Sequence, residues 1–310
     1  MEETMNREEL RKIMRGVSVA VPTPFDNNYA LDLAAATDLT QWWVEQGLGT
    51  DKSMIKLCSA WGQGPDIRDT EWPDLVRTVV DAGGSGVNVM CGLKSKDTLR
   101  TIEDAKIAQD MGANSLQIEL PYNHKPNQDQ YVKHFTMISD AIDIGIMIYN
   151  TYWFGCDSLE PETLLRLKDA EHVAAIKWNY PDPDGYDKMK EFSDIFNVID
   201  NSGQHVKCFK NGGAGIVSAF APAYPAHDLR VADLLAAGQY DEAEEMVKRE
   251  DEVFAPIFAK VSATGGGYRL AKAMMNIVGH PSGPPRLPTE PVSREHEAEL
   301  REAMEEMGWV

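Results

Sequence analysis

The chain has 310 residues, 43% of them hydrophobic, and carries a formal net charge of −19 from 49 acidic and 30 basic side chains. That length and apolar content allow one large domain or a barrel with an appendage, and exclude a disordered chain. The charge excludes nucleic acid and anionic membranes as principal partners, because both repel such a field.

Residues 1–15 are charged and predict a leading helix. A β-rich run follows at Val17–Val21 and ends on Pro22-Thr23-Pro24-Phe25. No GxGxxG stands there, which argues against a dinucleotide-binding fold. Six further strands are expected at Met54–Ser59, Gly86–Cys91, Ser115–Leu120, Ile144–Tyr149, Val173–Lys177 and Phe196–Asp200, and a last one at Gly215–Phe220. Amphipathic stretches lie among them at Asp32–Gln46, Glu71–Asp81, Ser95–Met111, Asp129–Ala141 and Pro161–Ala170. Strand and helix in regular alternation predict an α/β protein, a (β/α)8 TIM barrel, with a doubly wound open sheet as the rival.

Beyond Phe220 the alternation stops. Leu229–Ala237, Tyr240–Phe254 and Gly267–Val278 read as consecutive helices. The proline-rich segment Pro281–Pro288 is extended, and an acidic helix over Ser293–Met307 closes the chain. The expected organisation is a catalytic barrel with its N-terminal helix over 1–228 and a C-terminal helical extension packed on it over 229–310. Four scattered cysteines (Cys58, Cys91, Cys156, Cys208) lack CxxC pairing and fit a reducing compartment. The seven histidines have no HxH or HExxH spacing, so no metal site is expected. No secretory leader and no run near the length of a membrane span is present, so the expected location is cytoplasmic.

Two strand ends carry the chemistry. Lys177 terminates the apolar run His172–Ile176, and Tyr149 terminates Ile144–Ile148. Burial disfavours an ammonium, lowers the pKa of a lysine and makes its amine a nucleophile for carbonyl carbon. Alternation sets Gly145, Met147 and Tyr149 on one face, and Val173, Ala175 and Lys177 on one face, with Gly145 and Ala175 leaving room inside. From these two runs alone, a snorkelling lysine and a core tyrosine remain the open alternative.

Further motifs narrow the choice. They are Pro22-Thr23-Pro24-Phe25-Asp26, Pro121-Tyr122-Asn123-His124-Lys125-Pro126, Tyr149-Asn150, Ala175-Ile176-Lys177, Gly212 to Ser218, and Pro285-Arg286-Leu287-Pro288. In this order and spacing the chain resembles the dihydrodipicolinate synthase and N-acetylneuraminate lyase superfamily of class I aldolases. The resemblance implies Lys177 as the Schiff-base lysine and Tyr149 as the proton relay of carbinolamine breakdown and carbon–carbon cleavage. It implies no organic cofactor and no metal, and a homotetramer.

The departures concern the substrate. The family's Gly-Thr-Thr-Gly-Glu type loop corresponds to Ser59-Ala60-Trp61-Gly62-Gln63. Main-chain donors around Ala60 and Trp61 remain for the carboxylate of a 2-oxo acid, and Ser59 offers a hydroxyl. The synthase's second tyrosine corresponds to Asn123, and the place of its substrate-carboxylate arginine holds Phe154. Aromatic side chains follow instead: Trp61, Tyr152, Trp153, Phe154, Trp178 and Tyr180. The candidate substrate-binding residues are Ser59, Ala60, Trp61, Gln63, Asn123, Trp153, Asn179 and Ser218. The expected partners are a small 2-oxo acid and an aldehyde. The expected function is a Schiff-base lyase that releases pyruvate by retro-aldol or hydratase-aldolase cleavage, with an aromatic or apolar aldehyde as the other product. The alternatives are a 2-oxo-acid dehydratase or decarboxylase, or a non-catalytic 2-oxo-acid binder.

Overall fold

The structure, a computed structural model, describes residues 5–310. Eight parallel strands close into one barrel in sequence order. They are β1 (Gly16–Ala20), β2 (Ser53–Leu57), β3 (Val89–Leu93), β4 (Ser115–Glu119), β5 (Gly145–Tyr149), β6 (Val173–Trp178), β7 (Asn197–Asp200) and β8 (Gly215–Ser218). The helices are α1 (Arg7–Ile13), α2 (Leu33–Glu45), α3 (Trp72–Gly83), α4 (Thr98–Asp110), α5 (Gln128–Ser139), α6 (Pro161–Arg166), α7 (His205–Lys210) and α8 (Pro225–Ala236), followed by α9 (Tyr240–Ser262), α10 (Tyr268–Ile277) and α11 (Arg294–Glu306). Between β6 and β7 the chain makes a 3-10 segment, Pro183–Glu191, in place of an α-helix. The TIM barrel with its C-terminal helices is the architecture the alternation predicted.

Strand periodicity divides the apolar residues into two sets. Val17, Val19, Ile55, Leu57, Ile146, Ile148, Ile176 and Trp178 pack outward against the helices in the large core. Inside the barrel lies a second, smaller cluster: Leu10, Met14, Met54, Met90, Met147, Ala174, Ala175 and Ile199. Leu10 and the C-cap residue Met14 belong to α1, so this helix plugs the N-terminal end of the barrel. Its position is fixed by Arg7, which donates to the carbonyls of Val173 (2.8 Å) and Ala170 (2.6 Å), and by Asn197, which donates to the carbonyls of Arg11 (2.7 Å) and Met14 (2.9 Å).

Local departures from the expected elements have physical causes. The space beside Gly145 is filled and is not open room, because a Cβ there would collide with the Met14 sulfur. Register between β5 and β6 slips, pairing Ile146 with Val173 but Met147 with Ala175. The bulge turns Val173 outward, so only Ala175 and Lys177 of the expected trio keep the inner face. The third strand starts at Val89, later than expected, where the Asn114 side chain accepts from its N–H at 2.8 Å. The last strand stops at Ser218, whose hydroxyl accepts from the N–H groups of Phe220 (3.2 Å) and Ala221 (2.9 Å). Helix α9 continues past Phe254 and through Pro256. Residues 228 and 229, the expected domain boundary, both lie inside α8, which packs on β1 and β8.

The C-terminal segment stabilises the catalytic end. Buried Lys272 of α10 donates to the carbonyls of Thr23 (2.7 Å), Ser282 (2.9 Å) and Gly283 (3.3 Å). Arg286 forms a fork on Glu71 (2.6 and 2.8 Å) and also donates to Tyr29 O and Asp66 O. That pairing holds the Glu71 carboxyl down at about 2, with the Arg286 hydrogen bonds as the largest cause. The loops after β1 and β2 are thereby tied to one rigid strut.

Candidate active site

The polar half of the barrel interior begins two residues beyond the methionine layer. Met54 is followed on its face by Lys56, Met147 by Tyr149, and Ala175 by Lys177. Glu119, Tyr149 and Lys177 are register partners across β4, β5 and β6, so their side chains stand side by side at the carboxyl ends of the strands.

Lys177 is 5% exposed. Its amine sits over the face of the Tyr149 ring, 3.7 Å from the centroid. Burial first, then the neighbouring charge of Lys56, pushes its pKa well below the ordinary lysine value, while Glu119 pulls it back up. The amine is therefore available in its neutral, nucleophilic form. Burial raises the Tyr149 phenol, and its hydroxyl is hydrogen-bonded to Asn201. Burial likewise raises the Glu119 carboxyl, against the Ser95 backbone N–H and the charge of Lys177.

A second lysine shares the lumen. Lys56 is fully buried, and its ammonium donates to Ser18 Oγ at 3.0 Å. Burial lowers it to about 7, although a hydrogen bond with Lys177 works the other way. The protonation of each amine thus depends on the other.

The loop after β2 is tight. Cys58 and Gln63 bracket it with left-handed backbone, φ 56° and 58°. Gly64 admits no side chain, since a Cβ there would strike the Cys58 carbonyl oxygen. Within the loop, Ser59 Oγ accepts from Gly62 N at 3.3 Å, Gln63 N donates to Ala60 O at 3.1 Å, and Gly64 N donates to Ser59 O at 2.8 Å. Among the described residues no acceptor is bonded to the N–H groups of Ala60 and Trp61, which leaves both for a carboxylate.

The other candidates are distributed as follows. Trp153 is 43% exposed and sets its edge against Tyr149, with 5.4 Å between centroids. Phe154 is exposed beside Tyr122, with 5.0 Å between those rings. Trp61 is half-buried and stacks one ring face on Phe258 of α9 at 5.9 Å. The Gln63 side chain is buried and donates to Asp66 at 3.4 Å. Asn123 is exposed in a turn. The Asn179 carbonyl oxygen accepts from Tyr180 N at 2.8 Å and its amide donates to Asn201 O at 3.4 Å. The Ser218 hydroxyl is occupied by the turn that follows it and lies on the outer face, in register with Val19. The structure brings Lys177, Tyr149 and Trp153 together, and turns Ser218 to the outer face of the barrel.

Sequence reasoning missed Lys56, Glu119 and Asn201. The first two had a signal: Ser115, Gln117 and Glu119 place three polar groups on one face of an otherwise apolar strand, and Lys56 shares a face with Met54. Asn201 had none, since only the fold brings it to Tyr149.

Comparison with known proteins agrees with this geometry. Residues 13–307 match the dihydrodipicolinate synthetase family. The 4-hydroxy-tetrahydrodipicolinate synthase of Corynebacterium jeikeium is 30% identical over 280 residues, covering 90% of each chain. That of Acidothermus cellulolyticus is 29% identical over 294 residues, covering 95% of this chain and 92% of its own. Among solved structures, a dihydrodipicolinate synthase of Thermotoga maritima is 26% identical and superposes with a TM-score of 0.83 over 96% of this chain and 100% of its own. The chloride-inhibited enzyme of Acinetobacter baumannii in complex with pyruvate, 21% identical, has a TM-score of 0.83 over 96% and 100%. No helix among the described residues is long and apolar enough to cross a membrane.

Proposed function

The chain belongs to the dihydrodipicolinate synthetase family, class I aldolase-type lyases that work through a lysine Schiff base without a cofactor, and from that premise we propose that it cleaves a 2-oxo acid to pyruvate and an aromatic or apolar aldehyde. The observation that carries this reading is the Lys177 amine, buried, depressed in pKa and seated on the ring of Tyr149.

In the proposed reaction the neutral amine of Lys177 adds to the 2-keto carbon. The N–H groups of Ala60 and Trp61 hold the carboxylate. Loss of water gives an iminium, which accepts the electron pair of the breaking carbon–carbon bond. The Tyr149 hydroxyl relays the proton of the oxygen that becomes the aldehyde, giving its own to the methylene carbon of the resulting enamine, which becomes the pyruvate methyl group. Hydrolysis then returns Lys177 and releases pyruvate, the ligand held by the A. baumannii relative.

The aldehyde preference rests on what borders Tyr149. Trp153, Tyr152 and Phe154 follow it on one 3-10 turn, and these rings suit a flat acceptor by stacking and apolar burial. The synthase activity of the relatives is not carried over, because Asn123 and Phe154 stand where a relay tyrosine and a carboxylate-binding arginine are expected. Assembly as a homotetramer is part of the same proposal.

Borohydride reduction in the presence of pyruvate, followed by peptide mapping, is the direct test. The expected result is a reduced adduct on Lys177; no adduct, or one elsewhere, overturns the reading. A panel of arylidene pyruvates, sugar acids and short 2-oxo acids tests the aldehyde. Turnover confined to sugar acids, or dehydration or decarboxylation without aldehyde release, removes the aromatic assignment while leaving the imine intact.

A further inference from the structure

The reading above uses one lumen lysine and leaves the other without a task. Lys56 differs from the protein's other deeply buried lysine. The Lys272 ammonium is satisfied by three backbone carbonyls, as a structural cation should be. Among the described residues, the Lys56 amine donates to one neutral hydroxyl, Ser18 Oγ at 3.0 Å, and the nearest charge it acts on is that of Lys177. A methionine in its place would fill the lumen at lower cost, as Met54 does one step below on the same strand face. A buried amine that makes so little of its donors is placed for chemistry.

In this arrangement Tyr149 meets the Lys177 amine with its ring face and not with its hydroxyl, which is bonded to Asn201. The titratable groups facing this space are Lys56 from β2, Glu119 from β4, Tyr149 from β5 and Lys177 from β6.

We propose that Lys56 is a catalytic acid of the imine-forming step: it holds the single proton of the Lys56–Lys177 amine pair and delivers it to the hydroxyl leaving the carbinolamine. This rests on the Schiff-base reading and deepens it. The neutral Lys177 amine forms its bond to the keto carbon, and proton transfer from nitrogen to oxygen gives the neutral carbinolamine. The Lys56 ammonium then protonates that hydroxyl; the carbon–oxygen bond breaks and water departs. The nitrogen lone pair forms the iminium, and Lys56 is left neutral. One positive charge enters the step on Lys56 and leaves it on the iminium nitrogen, so the step itself leaves the net charge of the low-dielectric lumen unchanged. Hydrolysis runs the sequence backwards and restores the ammonium. Before substrate arrives, the Lys56 charge also keeps Lys177 deprotonated.

The test is the rate of imine formation, measured by quenched-flow borohydride trapping with pyruvate and mass spectrometry across neutral to alkaline pH. Lys56→Met, Lys56→Gln and Lys56→Arg are compared with the unaltered protein, after thermal melts confirm folding. Lys56→Gln keeps a donor for Ser18 should the Met variant fail to fold. The unaltered protein should form its adduct on Lys177 at a rate that falls as pH rises through about 7, where Lys56 loses its proton. All three variants should still be trapped on Lys177, but about 10²–10³-fold more slowly and without that alkaline limb. A folded Met or Gln variant with an unaltered rate and pH profile overturns the proposal. So does rescue by Lys56→Arg, which carries the charge but does not release a proton. If the unaltered protein forms no Lys177 adduct, the Schiff-base reading itself fails and this assignment with it.

Discussion

The lower and upper halves of the barrel lumen are built from the same strands and obey different rules. Below, Leu10, Met14, Met54, Met90 and Met147 form an apolar plug. Above, two residues farther along three of those strands, stand Lys56, Tyr149 and Lys177, with Glu119 beside them. A two-residue advance along a strand keeps the inward direction and changes only the height. The plug contributes burial. The upper layer gives up apolar packing for an amine with a depressed pKa, and the desolvation that opposes the ammonium is the same effect that makes it reactive. If this division is real, substitutions above the boundary change chemistry and substitutions below it change stability.

The largest expected effect falls on the upper half. Tyr149→Phe retains the ring that seats the Lys177 amine and removes the hydroxyl. Turnover should fall by about 10²–10⁴, the range for a lost acid–base group. The borohydride adduct on Lys177 should still form, because Lys56 serves that earlier step. Steady-state kinetics beside trapping separates the two; near-normal turnover would take the hydroxyl out of the reaction.

The lower half should respond in the opposite way. Leu10→Ala removes a fully buried side chain from the α1 plug. A loss of about 2–5 kcal/mol is expected in denaturant melts, from lost transfer energy and the cavity left behind. Measured well below the new melting point, kcat should change by less than about threefold if the halves are independent. A parallel collapse of kcat would show that α1 positions the amine as well as closing the barrel.

The same boundary explains what the sequence made legible. The barrel followed from strand and helix alternation, and Lys177 and Tyr149 from their place at strand ends, since both are local patterns. The plug was not legible, because Met14 meets Gly145 only after the chain closes on itself. The β6 bulge depends on pairing with β5, which no run of residues encodes alone. Lys56 was visible beside Met54, but its meaning required Lys177, which lies four strands away in the sequence and adjacent in the lumen. Ser218 read as a substrate-binding candidate, and its two backbone donors appear only once the turn after β8 is formed. The stacking of Trp61 on Phe258 was not legible either, because Phe258 belongs to α9, far along the chain.

The smallest effect is also the most specific to the upper half. Burial lowers Lys56 to about 7, whereas an unfolded chain keeps its ordinary value of 10.5. Between those values the unfolded state binds more protons than the folded one, so stability must rise with pH across the window. Lys272 is lowered to about 7 as well and contributes in the same direction, as does Lys177. Subtracting the melts of Lys56→Met from those of the unaltered protein isolates one lysine. The variant should be more stable at neutral pH, because it buries no ammonium, and the advantage should shrink on going from about pH 7 toward pH 10. The difference should change by no more than about 1.4 kcal/mol per pH unit, the limit for one titrating group. Leu10→Ala should leave the pH slope untouched, since the plug holds no titrating group. Parallel curves for Lys56→Met would mean that Lys56 keeps its proton across the window, and the upper lumen would then hold a permanent cation instead of a transferable one.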